Sequence, residues 1–220
     1  MIRWWAPEFQ TFGPSLTFHK GLLLSMQMKR DYRNQLSKLF PLDDENLEGL
    51  LDAVSFREIP SGTVLLSEGE VATKLLIVIK GCLRQYFIKE DGKEITFQFF
   101  VEDQVVASFE SATSGTPSRL YIEAIEDSII GFIPMKSLKG MLGKSSSTMD
   151  GFNKFLMRRL IYYMNRCSSY ILDNPERRYQ RLVEENPDLV ARLPKQYIAS
   201  YLGITPVSLS RIRSRLKKNI

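Results

Sequence analysis

A group of side chains near the C-terminus has the types and spacing to hold a polyanion. Ser208, Arg211 and Arg215 stand three and four residues apart, so a helix places them on one side. Arg213 and Lys217 flank them, also four apart, and from Arg211 to Lys218 there are five basic residues and no acidic one. A helix that is merely solvated usually mixes signs to gain i,i+4 pairs. An arginine fork can pair with O6 and N7 of a guanine in the major groove, whereas cations further along such a helix reach phosphates.

The surrounding residues supply the elements that would position these groups. Lys195 to Ser214 reads as two short helices meeting at a sharp turn. Pro194 suits a first helical position, where its missing N–H would be unpaired anyway. Ile198, Ala199 and Leu202 follow at helical spacing, and Gly203 falls where a chain leaving a helix needs a left-handed backbone. Thr205-Pro206 starts again with a hydroxyl N-cap and a proline at the next position. Leu209, Ile212 and Leu216 form the second apolar stripe, and Ala199 is small where the helices must cross. This is the pattern of a DNA-binding helix-turn-helix. A plain αα-corner would carry the same glycine and core stripe; the single-sign outer face favours the DNA reading.

Charge distribution agrees. The 220 residues carry a net charge of +5. From Pro175 onward there are ten Lys/Arg and four Asp/Glu, so the whole basic excess belongs to the segment with the two-helix motif. That is the electrostatic footprint of a DNA-binding module on a neutral body. Other chemistries lack material. His19 is the only histidine, which leaves little for histidine-rich zinc or haem sites or Ser-His-Asp catalysis. Cys82 and Cys167 are the only cysteines, too few for an iron–sulfur cluster or a disulfide framework. The expectation is therefore no metal and no enzyme. Apolar content of 44% with 25% charge is that of a globular protein. No apolar run reaches the roughly 18 residues of a membrane span, and Leu22–Leu24 is too short for a signal peptide; the expected location is the cytoplasm.

Along the chain, residues 1–30 are aromatic-rich and without clear period, either a docking extension or sequence upstream of a true start at Met26 or Met28. Tyr32 to Val54 reads as helical, broken at Phe40-Pro41, with Leu47, Leu50, Leu51 and Val54 as a buried stripe. From Phe56 the period becomes that of strands, with runs at 64–66, 75–79, 83–88, 95–100, 105–106, 120–125 and 129–133. Asp91-Gly92 between two alternating runs signals a hairpin. Closely spaced short strands argue a β-barrel or sandwich. No βαβ alternation, GxGxxG or GxxxxGK[ST] occurs. Pro134 to Gly143 reads as a short helix. Thr148 to Leu172 reads as a long one, with Met149, Phe152, Leu156, Leu160, Tyr163, Cys167 and Tyr170 at spacings of three and four, a coiled-coil-like seam. It either packs on the barrel or meets its own copy in a two-fold dimer; the length favours the dimer, with Met149, Phe152, Leu156, Leu160 and Tyr163 at the interface. Asp173-Asn174-Pro175 is a natural hinge. The expected units are 31–147 as an effector-sensing barrel, 148–173 as a dimerisation helix and 174–220 as a DNA-binding domain.

Barrel, long helix and helix-turn-helix, in that order, resemble the Crp-Fnr family of bacterial transcription regulators, from about Lys38 to Leu216. Ser61-Gly62-Thr63-Val64-Leu65 and Ser67-Glu68-Gly69-Glu70 look like the family's barrel opening, Val78-Ile79-Lys80-Gly81 like its central strand and turn, and Asp91-Gly92-Lys93-Glu94 like its hairpin. The resemblance implies an α+β fold: an antiparallel jelly-roll barrel of the cyclic-nucleotide-binding kind, a long dimerisation helix and a winged-helix-like helix-turn-helix. It implies a homodimer on an inverted-repeat operator of double-stranded DNA, with a small-molecule effector and RNA polymerase as further candidate partners. In the reader, the family's base-contacting positions fall on Pro206, Val207 and Arg211, of which only the arginine matches. Val207 would touch a thymine methyl and Ser208 make a weaker polar contact; Thr205, Ser210, Arg213, Arg215 and Lys217 are assigned to phosphates.

The barrel departs from the nucleotide-binding pattern. Where such members carry Gly-Glu-Leu and then Arg-Ser, this chain reads Ala107-Ser108-Phe109-Glu110 and Pro117-Ser118-Arg119. Glu110 and Arg119 either substitute from shifted positions or form an ordinary surface pair. Binding of phosphate needs converging N–H groups and a cation, so the departure argues against cyclic AMP. The cysteine cluster of the oxygen-sensing branch and a haem ligand pair are also lacking. The alternative is a constitutive DNA-binding protein whose barrel is a dimerisation or docking scaffold.

Overall fold

The computed structural model describes residues 32–33, 36–37, 43–143 and 146–218, the side chains of 147, 217 and 218 excepted. The N-terminal extension and the break at Phe40-Pro41 lie outside them.

Helix α1 (Asp44–Ala53) is capped by Asp43, whose carboxylate accepts the Asn46 N–H at 2.9 Å. Eight strands follow: β1 (Ser55–Ile59), β2 (Val64–Leu66), β3 (Lys74–Lys80), β4 (Leu83–Ile88), β5 (Glu94–Phe100), β6 (Val105–Val106), β7 (Tyr121–Ala124) and β8 (Ser128–Pro134). A short helix α2 (Phe109–Ser114) lies between β6 and β7. Two four-stranded antiparallel sheets result, in the orders β1-β8-β3-β6 and β2-β7-β4-β5. The Asp91-Gly92 signal holds: Gly92 has φ +78° and its N–H donates to Lys89 C=O at 2.8 Å, closing the β4–β5 hairpin.

Strand β3 shows why this sequence needs both faces covered. Its run Leu75-Leu76-Ile77-Val78-Ile79 is wholly buried. Because successive side chains alternate, Leu76 and Val78 enter the core between the sheets with Leu83, Phe100, Ile122 and Phe132. Leu75, Ile77 and Ile79 face the other way, into a second core closed by α1, by α3 (Met135–Leu142) and by Phe155 of the long helix.

That long helix, α4, spans Ser146–Leu172. Helices α5 (Pro175–Glu185), α6 (Pro187–Arg192), α7 (Lys195–Tyr201) and α8 (Pro206–Lys218) complete the chain. Asn174 caps α5 by accepting the Arg177 N–H at 2.9 Å, so the Asp173-Asn174-Pro175 break is a capped restart. No strand accompanies the C-terminal helices among the described residues, so the wing expected of a winged helix is not found there. The C-terminal helices share a core with Cys82 and Phe99 of the barrel.

Candidate nucleic-acid interface and effector pockets

The two-helix motif is built as its residues require. Ile198 and Ala199 of α7 are fully buried, and Leu209 and Ile212 of α8 pack with them. Gly203 has φ +69°, and its N–H and that of Ile204 donate to Ser200 C=O (3.1 Å) and Ala199 C=O (3.0 Å). This pair of bonds satisfies carbonyls that a helix end leaves orphaned. Thr205 caps α8: its hydroxyl accepts the Ser208 N–H at 3.2 Å and lies 3.0 Å from Ser208 Oγ. Pro194 stands one position earlier than expected, as the residue before α7 rather than its first.

With Leu209 and Ile212 turned inward, Val207, Ser210, Arg211, Ser214 and Arg215 are exposed. Arg211 has no ion-pair partner among the described residues. Arg215 is different: its Nη2 lies 2.5 Å from Glu176 Oε2 on α5, so it must exchange that partner to meet a phosphate. Arg213 is half-buried beside the inward stripe. The hydroxyls of Thr205, Ser208 and Ser210 are engaged locally, the last donating to Pro206 C=O at 3.0 Å. The Lys217 side chain lies outside the described residues.

The reading head is docked on the barrel. Strand β5 is an edge of its sheet, and α7 covers it: Thr96 N–H donates to Ser200 Oγ at 2.9 Å, and the Ser200 hydroxyl donates to Glu94 C=O at 3.0 Å. Arg84 of β4 is 1% exposed, which demands partners. It meets Glu94 at 2.7 Å and Glu123 at 2.6 Å, and its guanidinium lies between the rings of Tyr86 (4.0 Å) and Tyr197 of α7 (3.8 Å). Arg192 joins Glu102 (3.0 Å) and Glu126. Burial alone would raise the Glu102 carboxyl, but hydrogen bonds from Arg192 and the Gly81 N–H hold it below its ordinary value.

In the barrel, Ser108 and Ser118 are brought together. Both are buried, and the Ser118 hydroxyl lies 3.0 Å from Ser108 Oγ. Backbone bonds tie this segment to the barrel opening, Gly69 N–H to Ser118 C=O at 2.9 Å and Ser118 N–H to Glu70 C=O at 2.8 Å. Glu110 and Arg119, the shifted candidates, are exposed and make no ion pair with each other. The adjoining cavity, about 230 Å³, takes only Ser108 from the four candidate residues and is otherwise lined by Leu65, Leu66, Ile122 and Phe132 and by the stretch from Glu70 to Lys74, whose two ends are charged.

The seam of α4 splits between two faces. Phe152 packs on the barrel core, and Tyr163 stacks on Phe97 with centroids 5.7 Å apart, so both are turned away from a partner. Met149, Leu156 and Leu160 are exposed, and they belong with Met157, Ile161, Met164 and Ile171, an apolar row left 38–82% exposed. Two of the five seam residues thus pack within the chain, and three stay exposed. Phe152 and Tyr163 fit a three-four spacing because α4 is apolar on two sides.

The family profile described as "Cyclic nucleotide-binding domain" matches residues 56–145, the whole barrel after its first residue. The Anaerobic regulatory protein of Pasteurella multocida is 25% identical over 198 residues, covering 84% of this chain and 71% of that protein. The Fumarate and nitrate reduction regulatory protein of Escherichia coli K12 is 24% identical over 200 residues, covering 84% and 78%. These likenesses support placing this chain beside the regulators of the Crp-Fnr family. The fold agrees: a crystal structure from Eubacterium rectale, assigned to Crp/Fnr transcriptional regulators, superposes with a TM-score of 0.66 at 19% identity, covering 84% of this chain and 88% of that one. Within the Crp-Fnr frame, the α+β architecture of barrel, long helix and helix-turn-helix stands as expected. No helix among the described residues is long and apolar enough to cross a membrane.

Sequence reasoning missed one set of side chains, the arginines between α4 and α5. Arg158, Arg159, Arg166, Arg178 and Arg181 line a cavity of about 660 Å³ between the barrel, α4 and the C-terminal helices. Their only signal was the recurrence of arginines on two successive helices.

Proposed function

We propose that this chain is a dimeric, sequence-specific DNA-binding transcription regulator of the cytoplasm rather than an enzyme. Residues 31–147 act as a sensing or scaffolding barrel, 148–173 as the dimerisation helix and 174–220 as the reader. The observation that carries this reading is Arg211, unpaired and exposed on the outer face of a helix whose inner face is locked by Leu209 and Ile212. Arg211 pairs with a guanine edge, with Val207 and Ser208 beside it. Ser210, Arg213, Arg215 and Lys217, with Thr205 at the cap, meet phosphates. The apolar row of α4 supports the dimer, since monomers rarely leave such a contiguous patch in water. Two readers related by a two-fold axis take half-sites about one helical turn apart, so the operator is an inverted repeat.

The barrel does not use the nucleotide chemistry of its fold. Two hydroxyls bonded to each other stand where an acid and a base would hold a cyclic phosphate. That same observation favours the second reading, a constitutive regulator whose barrel is a scaffold. Selection of bound sequences from a random DNA library tests the main proposal. Enrichment of an inverted repeat is expected; a pool that stays random would remove the function.

A further inference from the structure

We propose that the cavity between β5, α4 and the C-terminal helices binds a small aromatic polyanion of the nucleoside-diphosphate class, and that this ligand couples barrel to reader. The inference rests on the reading of this chain as a regulator and names the effector that the barrel pocket does not accommodate.

The cavity, about 660 Å³, has the size of small-molecule sites. Five arginines face it from two helices: Arg158, Arg159 and Arg166 from α4, Arg178 and Arg181 from α5. The acids on its wall are Asp103 and Glu185, which leaves a surplus of positive charge. Only Arg181 is neutralised within the cluster, by Asp173 at 3.2 Å; no carboxylate lies in ion-pair range of the other four among the described residues. Unlike charges on an open surface, these guanidinium groups are drawn in over aromatic rings. Arg166 lies 4.3 Å from the Tyr201 centroid, Arg178 4.8 Å from Tyr170 and Arg159 5.1 Å from Tyr163.

A second observation is independent of the charge count. Arg159 Nε, Arg166 Nη1 and Arg178 Nε are buried without a hydrogen-bond partner. Buried donors are nearly always paired, and a guanidinium fork matches phosphate oxygens. Arg159 and Arg178 are partly held, by Tyr163 OH at 2.8 Å and by the carbonyls of Asp173 and Leu202 at 2.6 and 3.0 Å, and three incompletely paired guanidinium groups lining one cavity suit an acceptor with several oxygens. Tyr162, Tyr170 and Tyr201 also line the cavity, which gives it aromatic surface suited to a flat base.

The position explains coupling. Gln98, Phe99 and Asp103 come from the barrel side and Tyr201 and Leu202 from the reading head, so one ligand touches both. Arg159, Tyr162 and Arg166 lie on the side of α4 away from Met157, Leu160 and Met164, given about 100° of turn per residue. Dimer pairing through the apolar row therefore leaves the cavity free. A ligand that binds the docked arrangement better than an undocked one shifts that equilibrium, and DNA and ligand then change each other's affinity by the same factor.

Calorimetry on the full chain with guanosine and adenosine 5′-diphosphate, with guanosine and ribose 5-phosphate as controls, tests the site. At least one diphosphate binds, and more tightly than guanosine or ribose 5-phosphate. Arg166→Gln weakens it by roughly tenfold or more, as expected for loss of a charge-assisted contact. Arg158→Gln, at an exposed position that the fold does not need, weakens it in the same direction. Absence of binding by either diphosphate, equal binding by guanosine, or binding unchanged in both variants overturns the proposal. Operator affinity is then measured with and without the diphosphate; an unchanged value overturns the coupling. If the chain binds no operator either with or without the diphosphate, the regulator reading fails while the calorimetric result stands by itself.

Discussion

The two ends of this chain compare differently with the pattern of the Crp-Fnr family that it resembles. At the reader, the turn and the chemistry are both in place: Gly203 and Thr205 set the backbone, and Arg211 stands free on the outer face. At the barrel pocket the backbone ties Ser118 to Gly69 and Glu70, Ser108 meets Ser118, and the charged groups on the lining are Glu70 and Lys74. A scaffold is held by backbone bonds and apolar packing that tolerate a change of polar side chain. Ligand specificity rests on a few polar groups that do not.

The sharpest way to break the comparison is to remove the dimer proposed to hold the two DNA-binding units together. Leu160 is 52% exposed on the apolar row. In a dimer, Leu160→Asp buries a carboxylate without a partner, a cost of about 3–5 kcal/mol. Light scattering should show a folded monomer with lost operator binding; a clean dimer would remove the row from the account.

Next come the two turns. Gly81 has φ +101°, and an added Cβ would meet Ser128, 2.8 Å from its Cα. Gly81→Ala should destabilise the barrel by roughly 3 kcal/mol through clash and backbone strain together. Gly203 has open space and only its φ of +69° to resist substitution, its nearest neighbour lying 3.9 Å from the added atom. Gly203→Ala should cost about 1 kcal/mol. Denaturant titration of both variants checks the order, and a larger loss at Gly203 would reverse the contrast.

At the barrel pocket, cyclic AMP should bind no tighter than about 1 mM, near −4 kcal/mol. Micromolar binding would mean that Glu110 and Arg119 act from their exposed positions.

The smallest effect is on the docking of one end to the other. The Glu102 carboxyl is held below its ordinary value by Arg192 and Gly81 once burial is overcome. A depressed carboxyl stabilises the docked form above its unfolded-state pKa, and that contribution is lost as pH falls through the folded value. Hydrogen exchange in α7 should therefore rise, relative to the intrinsic rate, below the usual carboxylate range, and Glu102→Gln should remove the pH dependence. Unchanged acid sensitivity in that variant would locate the titrating group elsewhere.

Much of this was legible in the chain. Alternating runs gave seven of the eight strands, and Gly203 with Thr205-Pro206 placed the reader's turn within a residue. Strand β1 was not picked out as a run of its own after the helix ended at Val54, because Ser55-Phe56-Arg57 carries a single apolar residue. The partition of α4 was not legible, since a helix that packs on a barrel and also offers a row to a partner has apolar residues on two faces. The arginine cavity was not legible either. Arg158 and Arg178 look like solvated helix charges until the fold brings α4, α5 and β5 together. Arg84 is a similar case, an arginine in a strand whose burial follows only from the docking of Tyr197.

Arg211→Ala tests the central claim most directly, through salt titrations of affinity on the selected operator and on scrambled DNA, with Arg215→Ala alongside. The account predicts that Arg211→Ala costs roughly 1–3 kcal/mol on the operator, relaxes one base pair per half-site and leaves scrambled DNA nearly unaffected. Arg215→Ala should weaken both DNAs alike and reduce the salt slope by about one. Equal losses on both DNAs for Arg211→Ala would contradict the account, making Arg211 a phosphate contact and moving the reader to Val207 and Ser208.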